Sequence, residues 1–194
     1  EMFNKKALLL VVILTIAFLG LYSLGIRQAY KYTSSNALLV MTMSAELTSV
    51  GLYFANFIIA FLVILSSVGA ISGDIESGAM QAILVKPISR WEVVLGKYFG
   101  ISIMLTLYST AFFSAVIMLN VFFGAKLTLG FSNLFLGWLL FILGPLALLG
   151  VTIWGSSTLS TLNTGIVSVM LYGSAMVGGV LEQIGSLISL AGKG

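Results

Sequence analysis

Five runs of apolar residues, at about 7–24, 51–71, 98–123, 134–154 and 165–181, dominate this chain of 194 residues. Each is close to the roughly 20 residues that a helix needs to cross the hydrocarbon core of a bilayer. None of the five contains Asp, Glu, Lys or Arg. A segment in lipid must satisfy its own backbone groups, so each run is expected to be a helix. The fold class that follows is all-α, a polytopic membrane helical bundle. Composition agrees: 59% of the residues are hydrophobic and 8% charged, against about 25% charged in an ordinary soluble domain. No internal repeat or low-complexity linker divides the chain, so residues 1–194 are expected to form a single transmembrane domain.

What is missing excludes several functions. There is no cysteine and no histidine, which removes disulfides, thiol chemistry and the usual zinc or copper ligands, and no metal site is expected. No catalytic residue is expected either, because no Ser/His, Cys/His or membrane-depth carboxylate pairing exists to activate a nucleophile. Ion-coupled pumps place ionisable groups at membrane depth, and the apolar runs have none. Their polar residues are amides and hydroxyls: Asn56, Thr106, Tyr108, Ser109, Thr110, Ser114 and Asn120 on the second and third runs. Two readings stay open for them, hydrogen-bonded glue between helices or the lining of a translocation path. Gly96 and Gly100, and the small residues Ser174, Ala175, Gly178 and Gly179, have the spacing of closely packed membrane helices. Pro145 is expected to kink the fourth helix.

Between the first and second runs, residues 25–50 are polar and aromatic, and the mildly amphipathic 37–47 is expected at the membrane interface. Residues 156–163, rich in Ser and Thr, read as a short turn. With the N-terminus inside, Lys5, Lys6, Lys86, Arg90 and Lys97 are cytoplasmic and Arg27, Lys31, Lys126 and Lys193 are outside, a lean towards an N-terminus in the cytoplasm. Five spans then leave Gly194 outside, and the first residue is Glu, so the chain reads as cut at both ends. A net charge of +3 gives no reason to expect nucleic acid as a partner.

The stretch 74–97 holds every charged side chain between Glu46 and Lys126. Asp74 or Ser72 can cap a helix with Glu76 in its first turn, and Ile75, Ala79, Ala82 and Ile83 share a face until Pro87 ends the run. Ser89-Arg90-Trp91-Glu92 is a capping box, with Ser89 as cap and Glu92 reaching back. It opens a second helix that leads directly into the third run. Two jointed helices on the membrane surface are the expectation.

Those residues carry a resemblance. Ile71-Ser72-Gly73-Asp74-Ile75-Glu76-Ser77-Gly78-Ala79-Met80, then Leu84-Val85-Lys86-Pro87-Ile88-Ser89-Arg90 and Leu95-Gly96-Lys97, resemble the signature of membrane (permease) subunits of type-2 ATP-binding-cassette transporters, of the bacterial multidrug- or antibiotic-export kind. The resemblance implies six spans, of which five are present, and a cytoplasmic amphipathic coupling helix between the second and third, within 72–97. It implies that residues 181–191 begin a re-entrant segment. It implies docking on a separate ATPase subunit through Asp74, Ile75, Glu76, Gly78, Met80, Ile83, Lys86 and Arg90, with charges at the rim and apolar residues in the groove. Gly96-Lys97 is followed by Tyr98 and belongs to no phosphate-binding loop, so ATP and Mg are expected on the partner and no cofactor in this chain. A second permease subunit, identical or related, membrane lipid and a location in a bacterial or archaeal cell membrane complete the expectation. The competing reading is a membrane scaffold or assembly subunit that uses the same helix only for docking.

Overall fold

The computed structural model describes residues 2–33, 37–68, 70–71, 90–124 and 131–191. Among them are five helices and no strand: α1 (Met2–Thr33), α2 (Ala37–Ser67), α3 (Arg90–Phe122), α4 (Phe131–Thr158) and α5 (Thr161–Ala191). All five are long and apolar enough to cross a membrane. The chain is an all-α bundle, as the apolar runs require.

The helices are longer than the runs that announced them. α3 has 33 residues, about 50 Å at about 1.5 Å per residue, where the hydrocarbon core asks for about 30 Å. Residues 37–47, expected as an interfacial segment, are the first three turns of α2. The reason lies in pairing across the α1–α2 hairpin: the Tyr30 hydroxyl donates to Ser44 Oγ at 3.0 Å, both residues being buried. Residues 156–158 belong to α4, leaving only 159–160 between α4 and α5. α5 continues through 181–191 without a break, so the re-entrant turn expected there is not formed within the described residues. α3 stops at Gly124, whose φ of 103° is open to glycine and strained for other residues.

α2 is the hub. It packs on α1, α3, α4 and α5, and α3 packs on α4 and α4 on α5. Its apolar side chains Ala55, Ile58, Ile59, Leu62 and Val63 are buried with Leu105, Phe112 and Val116 of α3 and Phe141, Leu149 and Ile153 of α4. α1 adds Val11 to this core and leaves Leu9, Ile13, Ile16 and Leu21 exposed, as a helix against lipid does. Burying such side chains gains nothing over lipid tails, so packing and hydrogen bonds hold the helices together. Phe18 of α1 illustrates the packing, meeting Phe54 at 6.1 Å and Phe112 at 5.8 Å between ring centres.

Candidate functional site

The polar residues of the apolar runs fall into two groups with different fates. On the α1–α3 side they are spent on each other. Tyr108 of α3 shares a short hydrogen bond with Thr15 of α1, whose hydroxyl also donates to its own helix at Val11. Asn120 Nδ2 donates to the Tyr22 hydroxyl at 2.8 Å and to the Val116 carbonyl at 2.9 Å. Tyr22 in turn donates to the Leu47 carbonyl at 2.7 Å, so one phenol ties α1, α2 and α3. Gly51 makes room for it, since a Cβ there would overlap the Tyr22 ring.

Along α3, Ser102, Thr106, Thr110 and Ser114 each donate to the carbonyl four residues earlier, at 2.7–2.8 Å. This back-bonding satisfies a hydroxyl in an apolar helix without a partner elsewhere. Thr110 also accepts from Trp138 Nε1 of α4 at 3.1 Å. Ser109 is buried and its hydroxyl has no partner among the described residues, nor has Asn120 Oδ1. Neither Gly96 nor Gly100 has a described neighbour within 4 Å of where its Cβ would lie, so their spacing packs no helices together among the described residues.

Asn56 differs from all of these. It lies midway along α2's span, and the nearest atom to a Cβ on Gly144, midway along α4's, would be Asn56 Nδ2 at 3.7 Å. None of the described hydrogen bonds involves its amide. Beside it is a groove of about 690 Å³ between α2, α4 and α5, walled by Leu140, Phe141 and Met176 and carrying Tyr53 and Tyr172 as its other large polar residues. Among the described residues, no carboxylate, ammonium or guanidinium lines it. Of the residues singled out in the sequence as candidate lining, Asn56 alone is in this groove; Thr106, Tyr108, Ser109, Thr110, Ser114 and Asn120 are on α3, away from it. Tyr53 and Tyr172 could have been found from the sequence only by knowing that α2 and α5 meet.

The other region of interest is the end of the bundle where α2 finishes and α3 begins. Ser156 Oγ of α4 donates to the Val68 carbonyl at 2.9 Å and accepts from the Ile71 N–H at 3.2 Å. Lys97 Nζ of α3 donates to the Ala70 carbonyl in a short hydrogen bond. Ile71 itself is buried in the core. α3 begins at Arg90, with Glu92 in its first turn. Asp74, Ile75, Glu76, Gly78, Met80, Ile83, Lys86 and the cap residue Ser89 lie outside the described residues, as does the side chain of Arg90.

Five helices long and apolar enough to span a membrane, with amides and hydroxyls along them, define a polytopic membrane protein. The sequence profile of ABC-2 family transporter proteins matches residues 4–191, and the chain belongs to that family. It is a multi-pass membrane permease subunit of an ABC transporter. Neither the curated proteins nor the solved structures gave a match.

Proposed function

We propose that this permease subunit exports an uncharged, largely apolar molecule, driven by ATP binding and hydrolysis on a separate ATPase subunit that docks on residues 72–89. The observation that carries the reading is the groove at Asn56: mid-membrane, mostly apolar, with no charged side chain among its described lining and an amide that none of the described hydrogen bonds involves. An unpaired amide in an apolar medium costs about 1–3 kcal/mol by mutational measures, a cost that a passing ligand with one hydrogen-bonding group relieves. A charged substrate would find no counter-charge there.

These 194 residues contain no phosphate-binding loop, so the energy would come from an ATPase outside them. ATP and Mg would be held by the partner. In the docking segment, Asp74, Glu76, Lys86 and Arg90 would make charge-assisted contacts at the rim of a cleft on the ATPase, Ile75, Met80 and Ile83 would fill it, and Gly78 would allow close approach. Closure of two ATPase subunits on ATP would then shift the population of two bundle conformations through these contacts. Two permease subunits, identical or related, would face each other in a bacterial or archaeal cell membrane with their N-termini in the cytoplasm.

The test is reconstitution of the permease with the ATPase subunit that co-purifies with it. Glu76→Lys and Gly78→Trp are expected to weaken co-purification and to lower ATP-driven transport by tenfold or more, about 1.4 kcal/mol of coupling. Wild-type transport in both variants would refute docking through this segment.

A further inference from the structure

We infer that Ser156 and Lys97 are positioning residues that fasten the root of the 72–89 connection to three spans at once, so that α2, α3 and α4 move as one unit at that end. The inference rests on the reading above that this connection receives the motion of an ATPase, and it adds where that motion goes.

The last four carbonyls of α2 have no partner within the helix and need one from elsewhere. Past Ser67 the chain makes one tight turn, in which Val68 N–H still bonds to Ile64 and Ala70 N–H bonds to Ser67, both at 3.0 Å. Two side chains from other helices then pair with backbone groups just beyond Ser67, where the chain leaves α2. Ser156, fully buried on α4, uses its hydroxyl in both directions, donating to Val68 and accepting from Ile71. Only a group that is donor and acceptor at once can do this, which a hydroxyl is. Lys97, on α3, brings an ammonium to the Ala70 carbonyl, where the negative end of the α2 dipole also favours a cation.

Val68, Ala70 and Ile71 are therefore held from two sides, immediately before the connection begins. Ile71 is 2% exposed and part of the core, so it cannot leave without opening the bundle. A pull on residue 72 cannot be absorbed by unwinding the end of α2 unless three hydrogen bonds break and Ile71 is extracted. At the other end of the connection, α3 runs unbroken from Arg90 past Lys97 into the membrane. The two ends of the connection are thus joined to each other through Lys97, and the α2 end to α4 through Ser156. Loop roots usually absorb motion through changes in backbone angles. This one is built to transmit it.

The chain has no cysteine, so label pairs can be introduced without background. Exposed positions serve best: Leu65 on α2 paired with Leu95 on α3, and Leu65 paired with Trp154 on α4. Spin-label distances would be measured in the complex with the co-purifying ATPase, without nucleotide and with ATP plus vanadate. Both distances are expected to change by less than about 3 Å between the two states, the scale of a small packing shift. In Ser156→Ala/Lys97→Met they are expected to change by more than that, with stimulation of ATP turnover by the permease reduced at least about fivefold. Lys97→Arg should restore most of the loss. A larger change in the otherwise unsubstituted chain would overturn the inference without needing any clamp variant to fold. Unchanged distances and turnover in the double variant would overturn it too. Failure of the docking reading has a separate signature, since Glu76→Lys would then co-purify with the ATPase as the wild type does.

Discussion

Asn120 and Asn56 are the same residue in the same kind of helix, and the bundle treats them oppositely. Asn120 is fully buried between α1 and α3 and gives its amide hydrogens to Tyr22 and Val116. Asn56 sits where α4 offers a glycine and α5 a tyrosine across a groove, and none of the described hydrogen bonds involves it. The difference teaches that polarity at membrane depth is not by itself a mark of function. What decides is whether the neighbouring helix brings a partner. The α1–α3 side ties its helices together through Tyr22, Tyr108 and the Asn120 Nδ2 group, which fixes geometry, and leaves only Ser109 Oγ and Asn120 Oδ1 sealed in the interior without a partner among the described residues; the α2–α4–α5 side leaves an amide open to a groove, where a ligand can reach it.

Gly51→Leu should be the most damaging single change, because it drives a side chain into the space of the Tyr22 ring. Overpacking of this kind costs about 1–3 kcal/mol, and displacement of Tyr22 adds the loss of its bonds to Leu47 and Asn120. Thermal unfolding in detergent should show a marked fall in midpoint. Tyr22→Phe keeps the packing and removes only the hydroxyl, so a smaller loss of about 1–2 kcal/mol is expected, in line with interhelical hydrogen bonds in membranes. Trp138→Phe, which deletes the bond to Thr110, should cost about 0.6 kcal/mol. Ser114→Ala should be nearly silent, within about 0.5 kcal/mol, since its exposed hydroxyl bonds only to its own helix at Thr110. A large effect at Ser114 would blur the contrast, for it would give a self-satisfied hydroxyl a role that its contacts do not provide.

Much of the fold was legible in the sequence, for a simple reason: a bilayer core tolerates only helices and closed barrels, and an uncharged apolar run of about 20 residues is the length of a helix, not of a barrel strand. The ends of the helices were less so. A reading by hydropathy stops α1 and α2 at the first polar residues, whereas the Tyr30–Ser44 bond carries the hairpin beyond them. The site was legible only as a list. Asn56, Tyr108 and Asn120 look alike in the sequence, because the partners that separate them are far away in the chain, Thr15 being 93 residues from Tyr108 and Tyr22 being 98 from Asn120. The tie at the root of the connection was hidden for the same reason. Ser156 read as part of a turn, yet it is 85 residues from the Ile71 amide it accepts from.

If Asn56 serves a ligand while Asn120 serves the fold, leucine at the two positions has opposite effects. Both variants would be reconstituted with the co-purifying ATPase, and both read for thermal midpoint and for ATP-driven movement of an uncharged fluorescent amphiphile such as Nile red. Asn56→Leu is expected to unfold within about 0.5 kcal/mol of the wild type and to lose transport at least about fivefold. Asn120→Leu is expected to lose about 1–2 kcal/mol of stability, with the transport of its folded fraction retained. Wild-type transport in Asn56→Leu, or a loss of stability there equal to that in Asn120→Leu, would contradict the account.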